Sequence, residues 1–309
     1  MVSSFELPVA SSLELPVASD RAGERLDRFL ASSPEVGSRS EAERLVGEGR
    51  VLVDGRRRPK SHRVVPGEVV VVELHGLRPH ALEPERLDLR IAYEDEHILI
   101  VDKPAGLVVH PSAGHTTGTL VHGLLGRGIE GGTVPERPGI VHRHDRDTSG
   151  LLVVARSKEA HRRLQRLVRR RELVREYLAL VRGRPRSWRG RIEAPIGRDR
   201  HDPTRMSLDS DVAREAVTHF EVVELLPEYA LLRVRLETGR THQIRVHLAA
   251  IELPIAGDQV YGRESSLGLA RQFLHAARLA FPHPFTAVAV DVESPLPPDL
   301  AGALARARG

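Results

Sequence analysis

Two spacings of apolar residues divide this chain. Up to about residue 75, helical stripes come first and short strands after them. Beyond about residue 89, short apolar runs alternate with amphipathic stretches. Leu26, Phe29 and Leu30 recur at helical intervals and predict a helix over 24–31. Ser38 or Ser40 is suited to cap a second helix running to about Val46, with Glu41 and Glu43 complementing the dipole of its first turn. Gly49 ends that helix. Residues 51–53 read as a strand, Asp54-Gly55 as a tight turn, and 69–72 as a buried strand after the Pro66-Gly67 turn.

Further on, 91–93, 98–101, 107–109, 151–155, 217–223, 230–236 and 287–292 read as strands. Residues 157–171 predict a basic amphipathic helix with Ala160, Leu164, Leu167 and Val168 inward. In 241–247 polar and apolar residues alternate. Read as a strand, this segment puts Gln243, Arg245 and His247 on one face and Ile244 and Val246 on the other. The fold class expected is α+β, built on a mixed, mainly antiparallel sheet rather than a parallel repeat.

Punctuation marks the domains. An octad occurs twice, Ser4-Phe-Glu-Leu-Pro-Val-Ala-Ser11 and Ser12-Leu-Glu-Leu-Pro-Val-Ala-Ser19. Two copies cannot build a solenoid. Residues 1–19 are therefore expected as a flexible tail, although proline permits an edge strand there. A compact unit follows over 20–75. Residues 76–87 carry two prolines and no periodicity, and read as a linker. Residues 88–309 form the larger domain.

Composition narrows the chemistry. With no cysteine among 309 residues, a disulfide framework, a thiolate metal site and cysteine catalysis are excluded. No apolar stretch is long enough to span a bilayer, and no basic-then-apolar leader opens the chain. A cytoplasmic protein without membrane contact is expected. The net charge is +4, and Lys60, Lys103 and Lys158 are the only lysines among 46 basic residues. A GC-rich genome accounts for that bias; where the arginines cluster says more. Arg39, Arg44, Arg50, Arg56, Arg57 and Arg58 share the second helix and the following turn. Such a face can track phosphates, or can be a solvated surface, since Glu41, Glu43 and Glu48 interleave with it.

Two dense polar clusters remain: His142-Arg-His-Asp-Arg-Asp-Thr-Ser-Gly150, and Glu237-Thr-Gly-Arg-Thr-His-Gln-Ile-Arg-Val-His247. In one reading His142, His144, Asp145 and Asp147, completed by His242 and His247, hold a metal for hydrolysis. Thr148 stands where the comparable zinc motif has a further histidine, and Arg143 and Arg146 add cations beside the metal. In the other reading Asp145 is a catalytic carboxylate kept ionised by an arginine, with Arg245 as the partner.

Named families enter on these residues. The stretches Arg25-Leu-Asp27, Ser38-Arg-Ser40 and 49–55 resemble the S4 RNA-binding domain. That resemblance implies recognition of structured RNA by shape and backbone. The larger domain resembles the RluA/RluD-type pseudouridine synthases. The matching stretches are 93–111, 139–150, Arg175-Glu-Tyr177 through Val181, 237–247 and Gly257-Asp258 through Gly262.

The resemblance implies a small S4-type domain followed by a pseudouridine synthase domain, with no cofactor and no metal. It implies base flipping, with Asp145 catalytic, Arg245 its ion-pair partner and Tyr177 stacking on the flipped base. Arg143 would grip the RNA or fill the vacated space, and Arg166 and Arg170 would meet phosphates. The partner implied is structured RNA, ribosomal RNA or a ribosomal assembly intermediate; a monomer is the default expectation. A binding or assembly factor without activity is the non-enzymatic alternative. The family pattern has leucine before the aspartate, whereas this chain has His144.

Overall fold

A computed structural model describes residues 12–33, 35–36, 39–73, 82–112, 115–132, 134, 136–202, 204–262 and 267–309. The chain divides into two compact units, residues 1–83 and 84–309.

The first unit contains β1 (Ser12–Pro16), α1 (Leu26–Ala31), α2 (Arg39–Gly47), β2 (Val51–Val53) and β3 (Val69–Glu73). Leu26, Phe29, Leu30, Ala42, Leu45, Val51, Val53, Val70 and Val72 close its core. Asp54 and Gly55 both take positive φ, as a two-residue hairpin turn requires. The order β1-β3-β2 corrects the tail expectation: Ser12–Pro16 pairs antiparallel with β3 along its whole length. Pro16 closes that edge strand, where its missing N–H leaves no ladder bond unmade. The first octad copy lies outside the described residues, as does Ser38; Ser40 falls inside α2.

The second unit runs β4 (Arg90–Glu94), β5 (Ile98–Lys103), α3 (Leu120–Leu124), β6 (Ser149–Ala155), α4 (Lys158–Arg169), β7 (Val174–Arg182) and β8 (Arg189–Glu193). It continues through a small hairpin, β9 (Gly197–Arg198) and β10 (Met206–Ser207), to β11 (Val217–Leu225), β12 (Tyr229–Leu236) and α5 (Gln243–Ala250). It ends with β13 (Leu274–Pro282), β14 (Ala289–Glu293) and α6 (Pro298–Arg308). Residues 84–87, placed in the linker from sequence, belong here: the Gly118 amide donates to Glu85, and Leu87 packs on Gly123.

One mixed sheet organises the unit in the order β4-β5-β6-β13-β7-β12-β11-β8, with β14 on β13. All its ladders are antiparallel except β6–β13, which is parallel and only two pairs long: Ser149 with His275, and Gly150 with Ala276. Gly150 has φ 107°, and a Cβ there would lie 2.3 Å from the Ala276 carbonyl oxygen. Only glycine permits that approach.

Two further expectations were wrong. Residues 107–109 form no strand; instead the Val108 and Val109 carbonyls accept from the Leu120 and Val121 amides, which the start of α3 leaves without helical partners. Residues 243–250 form α5, not a strand. Gln243 through Leu248 are all buried, so no solvent face was left to reveal a helical period.

Candidate active site

The second cluster is anchored first. Gln243 and His247 lie one helical turn apart and reach the same strand. Gln243 Nε2 donates to the Val217 carbonyl and to Thr218 Oγ1, each at 3.0 Å. His247 Nδ1 lies 2.8 Å from Thr218 Oγ1, and its Nε2 lies 2.9 Å from the Ala194 carbonyl. These bonds fix α5 against β11. Arg245, between them in sequence, points elsewhere. Its Nε and Nη2 donate to Asp258 at 2.7 and 2.8 Å, and its Nη1 donates to Asp145 Oδ2 at 3.2 Å.

Asp258 is fully buried. Burial pushes its carboxyl up, but Arg245 and the Tyr261 and Val260 amides pull it down further, so it stays ionised. Burial likewise opposes the Arg245 charge, and the two carboxylates more than offset it. Asp258 lies inside the 257–262 stretch noted from sequence, yet sequence reasoning assigned it no role.

The segment 142–148 is held from several sides. Lys103, at the end of β5, is fully buried, and its Nζ donates to the carbonyls of Pro104, Leu107 and Arg146 at 2.8 to 2.9 Å. Burial pulls this amine down, Asp147 and Asp145 offset part of that, and the net result is about 7. Three carbonyl acceptors match the three N–H bonds of an ammonium, so we assign the charged form. Arg271 donates to the Asp147 carbonyl at 2.9 Å and is itself held by Asp299 of α6. Ser149 Oγ lies 2.9 Å from His275 Nδ1. Asp145 thus sits on a braced loop with its side chain 17% exposed.

The sheet delivers Tyr177. Gly150 pairs with Ala276, which pairs with Tyr177, so the three stand in one row across β6, β13 and β7. Tyr177 is buried, and its phenol is raised by burial and further by Asp145. His144 packs edge-on against it, ring centres 5.8 Å apart. Neither ring nitrogen of His144 finds a hydrogen-bond partner, nor does Nδ1 of His142. Burial holds both imidazoles far below their ordinary range, hence neutral. The metal arrangement read from sequence does not assemble. His142 Nε2 accepts from the Val153 amide at 3.3 Å, and His247 is bound to β11. Among the described residues no three His, Asp or Glu side chains converge.

The basic residues fare unequally. Arg39 binds buried Asp27 at 2.8 Å; Arg25 and Arg39 together hold that carboxyl down to about 2. Arg44 is bound by Glu41 and Glu48, Arg50 approaches Glu48 at 3.7 Å, and Arg170 approaches Glu172 at 4.0 Å. Arg56, Arg57, Arg58, Arg143 and Arg166 are exposed.

A carboxylate on a braced loop, partly open and facing a buried guanidinium, is an arrangement suited to catalysis. Comparison with known proteins places it. Residues 97–250 match the RNA pseudouridylate synthase family, and residues 24–70 match the S4 domain. The chain is 44% identical to the uncharacterized RNA pseudouridine synthase YlyB of Bacillus subtilis, over 91% of this chain and 93% of that protein. It is 42% identical to ribosomal large subunit pseudouridine synthase D of Pseudomonas aeruginosa, over 90% of each. The solved structure of human RNA pseudouridylate synthase domain containing 1 matches with TM-score 0.56 and 28% identity, over 74% of this chain and 90% of that one. The chain belongs to the RNA pseudouridine synthase family. It is an isomerase of RNA with an S4 domain at its N-terminal end.

Proposed function

We propose that this enzyme converts specific uridines of large-subunit ribosomal RNA to pseudouridine, with Asp145 as its catalytic carboxylate. The choice of RNA rests on relatives named for the large ribosomal subunit, such as the Pseudomonas aeruginosa protein. The choice of Asp145 rests on one observation: Arg245 takes one of its carboxylate oxygens and leaves the other free at a partly open surface. A carboxylate so placed is held in position yet accessible to a bound nucleotide.

The reaction is a rearrangement that needs no cofactor. The bond from C1′ to N1 breaks, one from C1′ to C5 forms, C5 loses a proton and N1 gains one. Asp145 acts at the ribose, as nucleophile at C1′ or as base for the C2′ proton. The target must leave its stack to reach it. Arg143, exposed two residues from Asp145, is placed to fill the space left behind. Tyr177 forms the floor against the uracil; only 4% of it is open, so contact is over a small area. Of the arginines singled out from the sequence, Arg56, Arg57, Arg58 and Arg166 are exposed and open to phosphates.

Mapping pseudouridine in ribosomal and transfer RNA from a strain lacking the gene tests the substrate. Loss of one or more large-subunit positions, restored by the wild-type gene and not by Asp145→Asn, is the expected result. Restoration by Asp145→Asn would overturn the assignment of Asp145. Loss confined to transfer RNA would overturn the choice of RNA.

A further inference from the structure

His242 has no role in the account so far, yet its backbone is unusual. It precedes α5 with φ 55° and ψ 17°, the left-handed region. A non-glycine residue is strained there and is held only where its surroundings fix it. The side chain explains what the conformation achieves. Nδ1 lies 2.9 Å from the Tyr261 hydroxyl. That hydroxyl accepts from the Met206 amide, also at 2.9 Å. The Tyr261 ring is itself fixed, with the Arg245 and Arg205 guanidiniums 5.0 and 5.2 Å from its centre.

These contacts set the tautomer. The Tyr261 hydroxyl has one proton, and Nδ1 is the acceptor within its reach. The neutral imidazole then carries its own proton on Nε2. The opposite tautomer would turn a bare lone pair toward the Asp145 carboxylate and be repelled. Nε2 lies 3.9 Å from Asp145 Oδ1, the oxygen that Arg245 does not hold. This is too long for a direct hydrogen bond. It fits one bridging oxygen about 2.8 Å from each atom, which accepts from Nε2–H and donates to Oδ1.

We propose that His242 reads the sugar of the target nucleotide: Nε2–H donates to its 2′-hydroxyl, which donates in turn to Asp145 Oδ1. Within an RNA strand the 3′ and 5′ oxygens are esterified, so the 2′ group is the one ribose hydroxyl that can both accept and donate. It is also the group that separates RNA from DNA. The arrangement ties discrimination between the two to the carboxylate that performs the chemistry. It rests on the uridine-isomerase reading above.

The test uses the mapped RNA segment in product form, carrying pseudouridine or 2′-deoxypseudouridine at the target, so that no turnover disturbs binding. Wild type is expected to bind the 2′-deoxy form at least about 10-fold more weakly, since both hydrogen bonds to that hydroxyl are lost. His242→Asn, which tolerates the left-handed backbone, is expected to keep no more than about threefold discrimination, the part carried by the remaining bond from the 2′-hydroxyl to Asp145 Oδ1. Tyr261→Phe, which frees the tautomer, is expected to show reduced discrimination and stands in should His242→Asn misfold. Equal binding of both RNAs by wild type, or full discrimination retained by His242→Asn or by Tyr261→Phe, overturns the proposal. Pseudouridine formation by wild type on the unmodified segment is measured first. Formation there without coupling sinks the sugar-reading role alone, and its absence sinks the parent reading as well.

Discussion

Arg245 turns two donors to Asp258 and a single, longer one to Asp145. The two carboxylates are therefore not equivalent. Asp258 fixes where the guanidinium sits, and Asp145 makes use of it. Removing Asp258 leaves a buried cation with half its compensation gone. Asp258→Ala should cost roughly 3 kcal/mol of stability, in the range for breaking a buried pair, and also lower turnover. Asp145→Ala should abolish turnover while costing about 1 kcal/mol or less, as for a partly exposed pair. Urea denaturation of the two variants checks this; equal destabilisation would refute the division of labour.

The buried histidines make the fold sensitive to acid. Burial lowers His110 to about 4 and His142 to about 3, and His144 lies well below 6.5. Unfolding exposes all three, and each then binds a proton as the pH falls through 6.5. Stability is thus intact above about 6.5 and lost on acidification toward about 4, at about 1.4 kcal/mol per pH unit for each group. His144→Leu should remove one proton from that slope. It should also stabilise the protein at neutral pH, since two buried nitrogens without partners disappear. An unchanged slope of unfolding free energy against pH would show that His144 takes up its proton in the folded state.

Gly150→Ala should be among the most damaging small substitutions. The added methyl meets the Ala276 carbonyl, amide and carbonyl carbon at 2.3 to 2.8 Å, on a backbone that L side chains avoid. A loss above about 3 kcal/mol is expected from the overlap and the strain together. Gly55→Ala is the control, with positive φ but nothing nearby, and should cost about 1 kcal/mol. Thermal unfolding separates the two.

Salt dependence should sort the arginines. Arg57→Gln and Arg166→Gln should each reduce the slope of log affinity against log salt by about 1 if each neutralises one phosphate. Arg44→Gln should leave the slope unchanged, because Glu41 and Glu48 already hold that guanidinium. A slope reduced equally by Arg44→Gln would mean that the ion pairs open on binding RNA.

Asp145 and Arg245 were legible in the sequence because arginines and carboxylates packed into two short clusters exceed what packing alone requires. Their pairing was inferred correctly through the wrong local structure. A strand and a fully buried helix both allow polar and apolar residues to alternate, so period alone misassigned 243–250. The expectation survived because it concerned Arg245 alone, which the real helix turns away from Gln243 and His247. Asp258 stayed unread because a carboxylate in a glycine-flanked turn looks like ordinary turn chemistry. Its significance lies in a contact 13 residues back along the chain. The edge strand Ser12–Pro16 was allowed by its proline but not placed, because its partner β3 lies more than 50 residues further along the chain.

The two-pair parallel seam between β6 and β13 also bears on how the enzyme comes into being. Asp145 enters the chain 100 residues before Arg245 and 113 before Asp258. Strands β4, β5 and β6 are complete long before β13 exists to receive them. A ribosome that has made only the first half of this sheet holds an aspartate with no guanidinium beside it and no floor beneath it. The site is thus complete only once the last third of the chain, which carries Arg245, Asp258 and β13, has met Asp145, β6 and β7 of the middle third.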